Sequence, residues 1–143
     1  MDDKPEIKGR WWLIFPTALL VMVVNVLLHV SYMVVYGYVI NPGEPAEFYQ
    51  EYAQASAPYS SIIAGMPLMF LAGLWIGRKF PRRNSVKAAV LVWLVYFLID
   101  GAILALTGTL VAVAALFAAS FATKFASASL GGFLAQKRGI NKG

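Results

Sequence analysis

WWLIFPTALLVMVVNVLLHVSYMVVYGYVI, residues 11–40, runs for 30 residues without an acid, a lysine or an arginine. A helix needs about 20 mostly apolar residues to cross a hydrocarbon core, so this stretch is long enough to span one. A cleaved signal peptide has an apolar core of about 7 to 15 residues and a small-residue cleavage site. This run is longer, and Asn41-Pro42-Gly43 follows it instead of a small-residue site. It reads as a retained helix. Pro16 falls in the first turn, where a missing N–H costs little, and Trp11 and Trp12 suit an interfacial anchor.

Three further stretches share this character: 59–77, 86–106 (interrupted by Asp100) and 110–135 (interrupted by Lys124). Hydrophobic residues make up 59% of the 143 and charged residues 13%, against about 25% charged in soluble domains. Water cannot cover such a chain, and lipid must. The expectation is a single transmembrane domain, all-α, a four-helix bundle with spans near 11–40, 59–77, 86–106 and 110–135.

The charges between the spans orient it. Residues 1–10 carry Lys4, Lys8 and Arg10, residues 78–87 carry Arg78, Lys79, Arg82, Arg83 and Lys87, and the C-terminus carries Lys137, Arg138 and Lys142. The 41–57 connection carries Glu44, Glu47 and Glu51 and no base. Every basic residue except Lys124 therefore falls on one side of a four-span topology. That is the positive-inside pattern, with both termini cytoplasmic. The net charge of +5 is then topological and faces anionic lipid, and nucleic acid is not expected as a partner. A bacterial inner membrane is the expected location.

Residues 45–57 place Phe48 and Tyr52 at i, i+4, with Tyr49 and Ala53 alongside. The spacing predicts a short amphipathic outer helix between spans 1 and 2. It serves either as a lid on the bundle or as a docking surface, and an apolar stripe at this spacing more often faces the protein's own core.

Ionisable groups inside a membrane are rare and turn toward the bundle interior. This chain has three, His29, Asp100 and Lys124. Asn25, His29, Tyr32 and Tyr36 share one face of the first span, and Trp93, Tyr96 and Asp100 share one face of the third. Measured from their helix starts, His29 and Asp100 lie at similar depths, about 20 Å along the axis. A His29–Asp100 hydrogen bond follows as an expectation. A direct Asp100–Lys124 pair suits the charges, but the two sit about 13 Å apart along the axis, so it needs an offset or a water. Pro67 should kink the second span and free the carbonyl of Ile63, within reach of Asn25 or His29. These groups act either as internal glue or as a proton or ion path.

Gly73 and Gly77 form a G-x-x-x-G, and alanines 115, 119, 122 and 126 make a small face on the last span. Both patterns let helices approach closely, within one chain or between copies. There is no cysteine and one histidine, so zinc sites and Ser–His–Asp arrangements lack members. No metal, cofactor or enzymatic activity is expected. The first functional reading is a non-enzymatic multi-pass membrane protein that packs with or supports partners in a membrane complex, the partner being another protein or a second copy. The alternative is a small transporter or ion- or proton-conducting protein using His29, Asp100 and Lys124.

Overall fold

The computed structural model describes residues 10–138; Lys4, Lys8 and Lys142 lie outside them. All regular structure is helical. Helix α1 (Ile14–Val35) is entered through a 3-10 turn, Trp11–Leu13, and leaves through a π-type turn, Tyr36–Ile40. Helix α2 spans Ala46–Gly77, and a 3-10 turn at Arg82–Asn84 leads into α3, Ser85–Leu106. Helix α4 is Ala114–Arg138. Three helical stretches, Trp11–Ile40, Ala46–Gly77 and Arg82–Leu106, are long and apolar enough to cross a membrane. α4 is of similar length but carries Ser120, Thr123, Lys124, Ser127 and Ser129.

Two expectations are corrected. Residues 45–57 do not form a separate outer helix: α2 continues from Ala46 through Pro58 and Pro67 to Gly77, 32 residues in all. At 1.5 Å per residue that is about 48 Å, well beyond a hydrocarbon core. A proline inside a helix removes one donor and crowds one carbonyl. Pro58 and Pro67 would do this to Gln54 and Ile63, both exposed side chains on the outer side of α2, and the helix passes through both. The alanine face of the last span also does not pack within the chain: Ala115, Ala119, Ala122 and Ala126 are all exposed.

Contacts between helices fix their directions. Ser85 Oγ donates to the Gly77 carbonyl at 2.9 Å across the short turn between α2 and α3, and Trp93 meets Phe125 while Phe97 meets Phe117, so α3 runs antiparallel to α2 and α4. Asn25 of α1 meets Tyr96 of α3 while Trp11 lies near Lys87, so these two run parallel. The order is up-down-up-down. The exposed bases of residues 78–87 and 137–138 gather at one end of the bundle, and Glu44, Glu47 and Glu51 at the other.

Packing is most extensive between α2 and α4, while α1 and α4 scarcely touch. Small residues explain the first fact. A Cβ on Gly73 would stand 2.5 Å from the Ala128 carbonyl oxygen, and one on Gly131 2.3 Å from that of Phe70. Backbones approach this closely only where side chains are missing. Gly77 and Ala135 continue the seam toward the basic end, where a Cβ on Gly77 would meet that of Ala135 at 2.8 Å.

Burial divides the bundle in two. Every buried residue of α1 lies at or before Asn25 and of α3 at or before Tyr96; those of α2 lie at or after Gly65 and of α4 at or after Ser120. The basic half is therefore a closed four-helix core built on Ala18, Met69, Ile76, Val92 and Ala128. The acidic half buries no helix residue fully and is more open, its helices meeting through aromatic side chains: Phe97 against Phe117 and Phe121, and Tyr36 stacked on Tyr52 at 4.0 Å.

Candidate functional site

The boundary between the two halves is a polar knot. Lys124 is 2% exposed. Its ammonium donates to Ser61 Oγ at 2.7 Å and to the Tyr96 hydroxyl at 3.1 Å. From the opposite side of the bundle, Asn25 Nδ2 donates to the same two oxygens, at 3.2 Å and 3.0 Å. One residue from each helix thus takes part. Ser61 and Tyr96 sit on the two central helices, and Asn25 and Lys124 reach them from helices that scarcely meet.

Local sequence explains how a lysine fits here. Gly65 is one turn beyond Ser61, and the lysine stem lies across it: a Cβ on Gly65 would fall 2.2 Å from Lys124 Cε. Ser120 and Ala128, one turn to either side of Lys124 on α4, are both small and buried. The ammonium lies 4.6 Å from the centre of the Tyr96 ring, which adds a cation–π attraction that strengthens when water is excluded.

The donor count leaves one group over. Both hydroxyls accept from Asn25 and Lys124, and Asn25 Oδ1 is buried without a donor. Each hydroxyl oxygen has two lone pairs, one taken by the amide and one by the ammonium, and the bonds from the ammonium are charge-assisted.

Asp100 stands one turn beyond Tyr96 on the more open side. It lines a cavity of about 10 Å³ together with Lys124, Tyr96 and Ser120. The hydrogen-bond partners of the ammonium are the two hydroxyls and not this carboxylate, so the direct Asp100–Lys124 pair is not formed. The cavity is about the size of one water.

His29 and Asp100 do lie at one level, each a turn beyond the bonded pair Asn25–Tyr96. They nevertheless form no hydrogen bond, and His29 Nδ1 is buried without a partner. Tyr32 does not join the knot: it is 40% exposed and its hydroxyl bonds to that of Tyr52. Pro67 is exposed and away from the knot, while Gly73 and Gly77 form the α2–α4 seam below it. Ser61 and Gly65 were not singled out by sequence. Serine is common in apolar helices, so only the pairing with a buried lysine distinguishes Ser61.

The structure also contains a groove. Above the knot, an open groove of about 660 Å³ runs along α1 and α2, lined by Leu28 and Tyr32 on α1 and by Tyr52, Ser56, Tyr59 and Ser60 on α2.

No known family matches this chain. No curated protein and no solved structure matches it either. Among the described residues, no group of three or more His, Cys, Asp or Glu side chains is placed to hold a metal ion. The knot offers no nucleophile paired with a base: its members are an ammonium, an amide and two hydroxyls.

Proposed function

We propose that this chain is a non-enzymatic multi-pass membrane protein whose four helices all span the bilayer, with the basic end and both termini cytoplasmic in a bacterial inner membrane. It packs with or supports partners in a membrane complex. The observation that carries this reading is the closure of Lys124. A conducting lysine needs a water-filled approach, whereas this one is 2% exposed and tied to hydroxyls on two other helices. Such a knot fixes helix register, the best-attested use of a buried polar group. The more open, aromatic acidic half and the exposed apolar surface of α4 then remain for contacts outside the chain.

One feature favours the alternative of an ion- or proton-conducting protein. Asp100 and Lys124 flank a small cavity, and a protein with intramembrane ionisable groups is by default a transport candidate. Liposomes holding the purified chain and a pH-sensitive dye separate the two readings. Proton flux at the protein-free level, together with recovery of the tagged chain from native membranes in a complex larger than itself, is the expected result. Flux that disappears in Lys124→Met would overturn the packing reading.

A further inference from the structure

The groove between α1 and α2 has a length, a lining and a charge pattern that point to one occupant. Its floor on α2 runs from Tyr52 to Ala64, twelve residues or about 18 Å at the helical rise. One leaflet of a hydrocarbon core is about 15 Å deep, half of the whole. The floor is small, with Ala55, Ser56, Ser60 and Ala64, and tyrosines form the walls. Ile63, at the deep end, is 74% exposed. A single extended hydrocarbon chain fits such a trough.

The mouth is acidic. Glu47, Glu51, Ala55 and Tyr59 follow one another at i+4 intervals on α2, so two carboxylates continue one wall of the groove past its upper end. Both are exposed. No lysine or arginine lies anywhere between Arg10 and Arg78. Tyr32, Tyr52 and Tyr59 line the groove below these acids, and aromatic faces attract cations. Carboxylates and aromatic faces together select a cationic head group and repel an anionic one.

We infer that this groove binds a phospholipid with an ammonium head group, ethanolamine or choline. One acyl chain lies along Ser56, Ser60 and Ala64, and the ammonium sits at Glu47 and Glu51. The inference rests on the membrane-spanning reading, with the acidic end at one bilayer surface. It does not depend on whether the chain conducts ions or supports a partner.

Native mass spectrometry of the delipidated full chain tests it. Phosphatidylethanolamine and phosphatidylglycerol with identical acyl chains would be added back singly and in competition. The expected result is one retained lipid, with phosphatidylethanolamine preferred about tenfold. Glu47→Gln with Glu51→Gln should keep the lipid and lose the preference. Ser60→Leu with Ala64→Leu should lose the lipid while the thermal transition stays near that of the parent. Should that pair fail to fold, Ile63→Trp, at a fully lipid-facing position, blocks the deep end instead. Equal binding of the two lipids by the parent chain would overturn the inference. So would undiminished binding in the blocked variants, or a cross-link from Tyr59→Cys showing a protein helix seated in the groove.

Discussion

Asn25 and Lys124 sit on helices that scarcely touch, yet donate to the same two oxygens, those of Ser61 and Tyr96. Shared acceptors mean shared energy. Removing one partner of a buried polar group leaves the others unsatisfied, at about 1–3 kcal/mol and more for a charge. Tyr96→Phe and Asn25→Leu should each lower stability in detergent by about that amount. Combined with Lys124→Met, each should show a coupling of about 0.5–3 kcal/mol. Thermal or denaturant unfolding of the two four-member cycles checks this. Additive losses would show that the knot is not one unit.

His29 and Asp100 give the contrasting expectation. Neither donates to the knot or accepts from it, although they lie at one depth. His29→Ala and Asp100→Asn should each cost less than Tyr96→Phe, and the double variant should equal the sum of the singles within about 0.5 kcal/mol. The same unfolding measurement decides. A large non-additive loss would mean that the two side chains meet in the membrane-embedded protein.

How far the sequence reaches is visible in these residues. Apolar runs and the one-sided placement of bases are properties of single segments, so the four long helices and the polarity of the two ends were legible, while the separate outer helix was not there to be found. Asn25, Tyr96 and Lys124 stood out because a polar side chain in an apolar run must find a partner. Depth along a helix also follows from counting, and it put His29 level with Asp100. What counting cannot supply is the angle at which each helix faces its neighbours. That angle is set by the Gly73–Ala128 and Gly131–Phe70 approaches, which draw α4 onto α2 and bring Lys124 to Ser61. The expected division between residues 45–57 and the span from 59 failed at Pro58 for a related reason. Proline argues for a break locally, but here the turn it disrupts faces outward and the helix continues.

The α2–α4 seam predicts an asymmetry between small residues that look alike in sequence. At Gly73 and Gly131 a new methyl meets backbone, at 2.5 Å and 2.3 Å, and backbone cannot step aside without opening the pair. Gly73→Ala and Gly131→Ala should each cost about 1–3 kcal/mol, the usual range for overpacking. Ala119→Leu and Ala122→Leu, on the exposed face of the same α4, should stay within about 0.5 kcal/mol of the parent. Melting curves in one detergent compare all four. Equal sensitivity of the two faces would mean that another helix covers the alanine face, in this chain's partner or in a second copy.

Orientation is testable with unusual clarity, because the sequence contains no cysteine. Every introduced thiol is then the only one. Arg83 lies in the short turn between α2 and α3, and Glu47 near the start of α2, at opposite ends of the bundle. Basic connections are retained in the cytoplasm. Arg83→Cys should therefore resist a membrane-impermeant maleimide in intact cells and react after permeabilisation, while Glu47→Cys should react in both. Both positions are exposed, so a lack of reaction reports sidedness and not burial. The α2 length strengthens the contrast: from Ser61 to Glu47 is fourteen residues, about 21 Å of helix, which carries Glu47 clear of a leaflet that begins near the knot. Reaction of Arg83→Cys in intact cells, with protection of Glu47→Cys, would invert the topology and place the acidic groove in the inner leaflet.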